Sequence, residues 1–253
     1  MTRARDWLFT IPALIAIGLV LVVFDIAGRV ALLFSRRAFE WTMAGLQRSL
    51  LFALSLAGVT YQIEGLERIR PGHGYVFVSN HQSMFDIPLF GGVLVRNFPK
   101  YIAKRGLGKG IPAVSLNLNR GGNALIDREN RDQATTIMEN LGAEAERRNV
   151  SVVIFPEGTR SRTGELGDFR PAGTVALLAG ASRLPVVPTA IDGSWRVVKN
   201  KMRPIPFGST IRIRFGEPIA RQAGESATAM LERCRSFIDT TLTEWRGPGV
   251  EGG

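Results

Sequence analysis

The sequence predicts an α/β protein with a mostly parallel central sheet flanked by helices, preceded by an N-terminal membrane-embedded helical segment. Short apolar runs typical of strands alternate with longer helical segments, which favours a parallel sheet covered on both faces. The chain opens with an uncharged run, and its 45% hydrophobic residues supply material for a core. We expect a membrane helix or helical hairpin over residues 1–60, an α/β domain over 61–246 and a disordered tail over 247–253.

The N-terminal segment is apolar enough to enter a membrane. Residues 7–24 carry no charge, and a helix that spans the hydrocarbon layer needs about 20 apolar residues. A second apolar stretch, residues 49–59, is too short to span and would lie in the interface or pack against the first. No convincing cleavage site of a secretory signal peptide follows the first run. A hairpin or a single anchor is therefore favoured over an ordinary buried helix.

The domain behind this segment is predicted to contain strands followed by helices. The strands lie at residues 75–80, 150–156, 184–191 and 210–215, and the helices at 84–95, 131–148, 171–181 and 226–245. In a parallel α/β sheet, sites form at the carboxyl ends of the strands. The loops that follow the strands are therefore where functional residues are expected.

Charge and composition restrict the partners. The formal net charge is +10, which favours contact with nucleic acid, an anionic membrane or a phosphorylated substrate. The single Cys234 excludes an internal disulfide and a multi-cysteine zinc site. With only His73 and His81 as imidazoles, we expect no metal site. Neither zinc-finger spacing nor an aromatic–basic RNA signature is present, so we expect no nucleic-acid partner.

The segment NHQSMFD, directly after the first predicted strand, holds a candidate acid–base pair. Asp86 follows His81 by five residues. If a helix begins near Ser83, the carboxylate folds back onto one imidazole nitrogen and raises the basicity of the other. His81 could then remove a proton from a hydroxyl, which would belong to a substrate because no Gly-x-Ser-x-Gly motif is present. On spacing alone, a helix cap beside a loop histidine is an equally good interpretation.

A second segment, GNALIDR, covers residues 122–128. It ends a short strand with Asp127 and Arg128. A guanidinium at this place suits bidentate binding of a phosphate. Taken alone, a surface Asp–Arg pair is the simpler interpretation.

A third segment, FPEGTRS, covers residues 155–161 and follows another predicted strand. Gly158 permits close backbone approach, and Thr159 and Arg160 offer donors to an anion. Glu157 could accept hydrogen bonds from substrate hydroxyls or orient Arg128, although a strand-ending turn explains the pattern as well. The fourth segment, LPVVP at residues 184–188, is expected in the core or in the wall of an acyl-binding groove.

These four segments, in this order, resemble the sequence blocks of the glycerolipid acyltransferase family, and specifically its 1-acylglycerol-3-phosphate (lysophosphatidic acid) acyltransferases. The resemblance runs from about Asn80 to Ile191 and includes a similar segment at residues 216–219. It implies a catalytic domain that moves a fatty acyl group from a thioester to the free hydroxyl of lysophosphatidic acid. The product would be phosphatidic acid, an intermediate of phospholipid biosynthesis.

The resemblance also implies roles for individual residues. His81 would act as the base on the acceptor hydroxyl, with Asp86 as its partner. The residues expected to bind substrate are Gly122, Arg128, Glu157, Gly158, Thr159, Arg160 and Lys104. The resemblance implies no cofactor, no metal and no covalent acyl-enzyme, because the acceptor oxygen attacks the thioester directly.

The expected partners are a lysophospholipid acceptor, an acyl-CoA or acyl carrier protein donor, and the membrane. The expected location is the bacterial inner membrane, with the catalytic domain facing the cytoplasm. A basic stretch with Lys100, Lys104, Arg105 and Lys109 could meet lipid headgroups, the phosphates of CoA or an acidic carrier protein, or could be a solvated basic face. Two other functions stay open: acylation of another lysolipid, and a non-catalytic membrane-anchored lipid-binding protein.

Overall fold

The N-terminal segment folds as two helices joined by a single residue. The computed structural model describes residues 2–127, 130–221 and 225–247. In it, α1 covers Thr2–Phe34 and α2 covers Arg36–Ser55. Ser35 reverses the chain between them, because its extended backbone ends one helix while its Oγ accepts a hydrogen bond (3.0 Å) from the Ala38 amide and caps the next. The two helices pack on each other as a helical hairpin.

The rest of the chain supplies a sheet and its covering helices. The strands are β1 (Thr60–Glu64), β2 (Val76–Ser79), β3 (Lys100–Lys104), β4 (Ala124–Ile126), β5 (Val152–Ile154), β6 (Val186–Asp192) and β7 (Thr210–Phe215). The helices are α3 (Asp86–Val93), α4 (Val114–Arg120), α5 (Arg131–Arg148), α6 (Pro171–Gly180), α7 (Ser194–Val198) and α8 (Ala227–Arg246), with 3₁₀ turns at Leu66–Arg68 and Arg105–Gly108. Of the predicted tail, only Gly247 lies within the described residues.

The strands form one seven-stranded sheet in the order β1-β7-β6-β2-β5-β3-β4. All neighbouring pairs are parallel except β6 and β7, which confirms the predicted mostly parallel sheet. The register places Val78 of β2 opposite Ile154 of β5 and Pro188 of β6. The carboxyl ends of three neighbouring strands therefore meet at one edge of the sheet, which we call the carboxyl edge.

Each face of the sheet carries its own apolar core. On one face, Phe77 packs with its ring centroid 5.7 Å from those of Phe90 and Phe215, beneath α2 and α3. On the other face, Val78 packs with Leu177 of α6 and Cys234 of α8. The apolar residues of β2 are buried on both sides, as expected for a central parallel strand.

Helix α1 lies against the domain although most of its surface is exposed. Asp6 Oδ1 accepts a hydrogen bond (3.1 Å) from the Phe207 amide, and Thr10 Oγ1 accepts one (2.9 Å) from the Ile205 amide. Further along, Asp25 Oδ1 accepts one (2.8 Å) from the amide of Ala113, the residue before α4. Among the described residues, α1 is the helix that is long and apolar enough to cross a membrane.

Helix α2 supports α3 through a close helix–helix contact near the C-terminal end of α3. A Cβ atom on Gly91 would lie 1.6 Å from Gln47 Oε1, and one on Gly92 would lie 3.2 Å from the Cα atom of Arg48. A Cβ atom would displace the Gln47 side chain at Gly91 and crowd the backbone of α2 at Gly92, so glycine favours this approach of the two helices. Since α3 begins at Asp86, the hairpin is packed directly against the helix that carries this carboxylate.

A buried ion cluster joins α2 to the first residue of β3. Lys100 Nζ and an Arg148 guanidinium nitrogen each lie 2.6 Å from Glu40 Oε1. The structure corrects the expectation that Lys100 belongs to a surface basic stretch, because this residue is only 5% exposed. Burial lowers the pKa of Lys100 to about 8, and the carboxylate of Glu40 opposes that shift.

The ion cluster predicts a large cost for neutralising Glu40. In Glu40→Gln, Lys100 and Arg148 lose their shared carboxylate while staying buried, and we expect a loss of about 3 kcal/mol in the free energy of unfolding. Thermal or denaturant unfolding of the purified protein measures it. Glu67→Gln, which removes an exposed carboxylate 3.7 Å from Arg68, is the control and should leave stability unchanged. Equal stability of the two variants would contradict this account.

Candidate active site

His81 and Asp86 form a hydrogen-bonded pair at the carboxyl edge. His81 Nδ1 lies 2.8 Å from Asp86 Oδ2. The loop after β2 carries His81, and Asp86 is the first residue of α3. The aspartate is fully buried, whereas the histidine side chain is 15% exposed. Because Nδ1 faces the carboxylate, it carries the proton and Nε2 is left as the acceptor that a ligand can reach.

Several donors besides the imidazole hold the carboxylate of Asp86. Its Oδ2 atom accepts hydrogen bonds from the amides of Gln82 (2.7 Å) and Ser83 (2.9 Å). Its Oδ1 atom accepts one from the hydroxyl of Ser194, the first residue of α7. A carboxylate at the start of a helix is also favoured by the helix dipole. These contacts fix the position of Asp86 and, through it, the orientation of the His81 ring.

The ring and backbone of His81 are also held by neighbouring strands. The imidazole stacks on Phe155, with ring centroids 4.0 Å apart and planes 14° apart. The amide of Ser161 donates a hydrogen bond (2.8 Å) to the His81 carbonyl. Before the loop, the Asn80 side chain makes two 2.8 Å hydrogen bonds with the backbone of Ile191 in β6. The loop is therefore anchored to strands on both sides of β2.

Glu157 lies under the loop and is almost completely buried. Its Oε1 atom accepts a hydrogen bond (2.7 Å) from the His81 amide, and its Oε2 atom accepts one (2.9 Å) from the Gly167 amide. The side chain is 4% exposed, and burial raises the pKa of its carboxyl group. The sequence suggested contact with substrate hydroxyls or with Arg128. In the structure both oxygens are occupied by backbone donors that join the His81 loop to the FPEGTRS loop.

Gly158, Thr159 and Arg160 of the FPEGTRS loop stay accessible. Gly158 has a φ of +67°, and the side chain of Arg170 passes 3.7 Å from the position of a Cβ atom there. Thr159 and Arg160 are exposed at the same edge as His81. Within the described parts of the chain, Arg160 forms no ion pair with a carboxylate. Its guanidinium is available to an anion.

The other predicted substrate-binding residues are distributed over two edges. Lys104 ends β3 at the carboxyl edge, opposite Ile126 in β4, and is exposed. Gly122 precedes β4 and lies at the opposite edge, where a Cβ atom would meet the Arg36 guanidinium at 2.6 Å. The structure does not bring Gly122 to His81, because the length of β4 separates it from the carboxyl edge. Arg128 lies outside the described residues.

Comparison with known proteins places this arrangement in a family. Residues 60–192, more than half of the chain, match the family model described as Acyltransferase. The chain belongs to the acyltransferase family. The matched region of this acyltransferase begins at β1 and ends at the last residue of β6, so it contains the His81–Asp86 pair and all four sequence segments.

Individual relatives of this acyltransferase carry a common name. The human 1-acyl-sn-glycerol-3-phosphate acyltransferase beta is 29% identical over 73% of this chain and 66% of its own length. The chloroplastic 1-acyl-sn-glycerol-3-phosphate acyltransferase LPAT1 of Arabidopsis thaliana is 31% identical over 95% of this chain and 65% of its own length. The chain thus spans about two thirds of the length of these two curated relatives.

A solved structure shares the fold. The crystal structure of the 1-acyl-sn-glycerophosphate (LPA) acyltransferase PlsC from Thermotoga maritima aligns with a TM-score of 0.78 at 20% identity. The alignment covers 99% of this chain and 100% of that chain. The helical hairpin is therefore part of the shared fold together with the sheet.

Sequence reasoning missed a polar network around Gln82. Its Nε2 atom donates hydrogen bonds (3.2 Å each) to Asp192 Oδ1 and to the Gly164 carbonyl. Arg246, the last residue of α8, binds the same two oxygens at 2.7 Å. Asp192 ends β6 and Ser194 follows it closely, so their place at the carboxyl end of a strand was the signal that could have identified them.

No metal site accompanies this network. Within residues 2–127, 130–221 and 225–247, no group of three or more His, Cys, Asp and Glu side chains could hold a metal ion.

The buried position of Glu157 predicts that replacing its carboxylate with an amide loosens the His81 loop. In Glu157→Gln, one side-chain oxygen becomes an NH₂ group, which cannot accept the amide of His81 or Gly167. We expect faster amide hydrogen exchange in the peptide 80–86 and a lower kcat for acyl transfer, because the His81 loop loses an anchor. Glu165→Gln changes an exposed carboxylate in the same segment and serves as the control. Unchanged exchange at 80–86 would contradict an anchoring role.

Proposed function

We propose that this acyltransferase moves a fatty acyl group from an acyl-CoA or acyl carrier protein thioester to the free hydroxyl of lysophosphatidic acid, making phosphatidic acid. The observation that carries the proposal is the accessible imidazole of His81 held on the buried carboxylate of Asp86 at the carboxyl edge. The names of the relatives support the acceptor, because proteins similar to most of this chain are named 1-acyl-sn-glycerol-3-phosphate acyltransferases.

His81 acts as the general base in this proposal. Its Nε2 atom takes the proton of the acceptor hydroxyl as the hydroxyl oxygen bonds to the thioester carbonyl carbon. The carbon–sulfur bond then breaks, and the departing thiolate takes the proton from the imidazolium. Asp86 holds the ring in the required tautomer and stabilises its positive charge during the transfer. The chemistry needs no covalent acyl-enzyme.

The phosphate of the acceptor binds to exposed donors beside His81. Arg160 and Thr159 extend from the loop after β5, which neighbours β2 in the sheet. Lys104 adds a positive charge at the end of β3, the next strand along. Gly158 lets the backbone of the loop approach an anion without a side chain between them. These groups match a phosphate monoester, which carries more negative charge than the headgroup of a neutral lysolipid.

Helix α1 brings the site to the membrane. Thr10 and Asp25 both dock on loops of the domain, and the helix between them is about 22 Å long. If α1 spanned the bilayer, the loops bound at these two residues would have to lie within a hydrocarbon layer that is about 30 Å thick. Therefore α1 lies along the surface of the domain, with its exposed apolar face in one leaflet. In a bacterial cell this would be the inner membrane, with the catalytic domain on the cytoplasmic side.

The proposed base predicts a loss of turnover in two variants. His81→Ala removes the proton acceptor and should reduce kcat for acyl transfer to lysophosphatidic acid by about a hundredfold or more. Asp86→Asn should also reduce kcat strongly, because the wrong tautomer of His81 is favoured. A thioester-release assay with labelled acyl-CoA measures both. His73→Ala, at the only other histidine, is the matched control, and turnover retained in His81→Ala would refute the mechanism.

The proposed phosphate contact predicts an effect on the acceptor alone. Arg160→Ala should raise KM for lysophosphatidic acid about tenfold, because a charge-assisted hydrogen bond is lost while the base is intact. Arg162→Ala removes an exposed arginine two residues away and should leave KM unchanged. A reduced kcat with an unchanged acceptor KM in Arg160→Ala would argue against phosphate binding by this residue.

A further inference from the structure

A cationic cavity lies between the start of α1 and the segment that follows α7. Its volume is about 660 Å³. The lining residues are Arg3, Asp6, Lys199, Asn200, Lys201, Arg203 and Pro204. Four of them carry a positive charge and one carries a negative charge. None of them belongs to the group of residues around His81, so the cavity is a separate feature of the surface.

The positive charges of this cavity are not neutralised by the protein. Asp6 is engaged elsewhere, because its Oδ1 atom accepts the Phe207 amide and lies 3.9 Å from the Arg5 guanidinium. In the described portion of the chain, none of the four cations lining the cavity forms an ion pair with a carboxylate. A cavity with an excess of cations favours an anionic occupant.

The backbone of the segment is held in an unusual conformation. Lys201 and Met202 have φ values of +54° and +61°, in the left-handed region that residues other than glycine seldom adopt. Met202 is held in place by packing against the core on the α2 side of the sheet. Two consecutive left-handed residues without glycine cost free energy, and such strain persists where the surrounding structure fixes it, often at binding sites.

The cavity adjoins the apolar surface of α1. Trp7, Leu8 and Phe9 follow Asp6 directly and are 38%, 67% and 36% exposed. The Phe9 ring packs 4.5 Å from that of Phe207, over which the Arg5 guanidinium also lies. Basic groups beside exposed aromatic and aliphatic side chains are typical of surfaces that sit at the level of lipid headgroups. A soluble anion has no apolar part that could contact these side chains, whereas a lipid has acyl chains.

We propose that this cavity binds the phosphate group of an anionic membrane phospholipid, at a site separate from the substrate site beside His81. The cations of the cavity contact the phosphate, while the acyl chains of the lipid lie along the exposed face of α1. This inference rests on the proposed position of α1 in the membrane and does not depend on the acyl-transfer reaction. Its effect is to fix the N-terminal end of α1 at the headgroup level.

The test uses phosphatidylglycerol, which is neither the proposed acceptor nor the proposed product. Full-length protein in neutral detergent is titrated with this lipid, and with phosphatidylcholine as the zwitterionic comparison. We expect preferential binding of phosphatidylglycerol, weakened about tenfold or more in the double variant Lys201→Gln/Arg203→Gln. Arg70→Gln/Arg96→Gln removes two exposed charges at the opposite edge of the sheet and should bind like the wild type.

In the titrations, any of three results would overturn the proposal: equal binding of the two lipids, no weakening in the cavity variant, or equal weakening in the control. Displacement of phosphatidylglycerol by millimolar inorganic phosphate would also overturn it, because the cavity would then be a site for a soluble anion. Matching melting temperatures show that the variants are folded. Acyl transfer by the cavity variant in neutral detergent should stay within about twofold of wild type. If neither the wild type nor any variant transfers acyl groups, that result contradicts the proposed function and leaves the binding result to decide the lipid site.

Discussion

The buried carboxylate of Asp86 is the group on which the arrangement of the site depends. A fully buried charge is stable only if hydrogen-bond donors surround it. Here the donors come from the loop after β2, from the imidazole of His81 and from Ser194 at the start of α7. The hydrogen bonds that this carboxylate accepts thus fix the positions of the loop after β2, the His81 ring and the start of α7. The orientation of His81 follows from this constraint.

The N-terminal hairpin is joined to the same site through a chain of packed elements. Asp86 begins α3, and α3 packs on α2 at Gly91 and Gly92, where a side chain would crowd Gln47 and the backbone of α2. Ion pairs of the buried Glu40 join α2 to the sheet. Hydrogen bonds from loop amides to Asp6, Thr10 and Asp25 join α1 to the domain. No flexible linker separates the apolar helix from the site. If α1 enters a bilayer as proposed, its depth therefore determines the height of His81 above the hydrocarbon layer.

The sequence was sufficient for features in which the interacting residues are close along the chain. The order of strands and helices follows from hydrophobic patterning, and the contact between His81 and Asp86 follows from a separation of five residues and a helix start. Strands β1 and β3 and the short helices α4 and α7 were not predicted. Strand β1 is largely exposed, β3 has a lysine at each end, and α4 and α7 have only seven and five residues. The ion-pair partner of Lys100 was not predicted either, since Glu40 lies 60 residues away along the chain.

The remainder of the site depends on tertiary packing. Ser194 reaches Asp86 across 108 residues, and although its place just after a strand marks it as a candidate, only the tertiary fold shows that its hydroxyl binds this carboxylate. Glu157 belongs to a segment that resembles an anion-binding loop, yet its two oxygens hold backbone amides from other loops. The GNALIDR segment was expected to act as one unit, but the structure places its first residue, Gly122, at the edge of the sheet opposite His81.

We propose that this acyltransferase prefers an acceptor lysolipid that bears a phosphate monoester. A panel of lysolipids, offered to the purified protein with labelled acyl-CoA and labelled acyl carrier protein as donors, measures this preference directly. We expect labelled phosphatidic acid as the main product, formed faster from lysophosphatidic acid than any product is formed from lysophosphatidylcholine or lysophosphatidylethanolamine. Equal rates with all acceptors, or no labelled phospholipid with either donor, would contradict it.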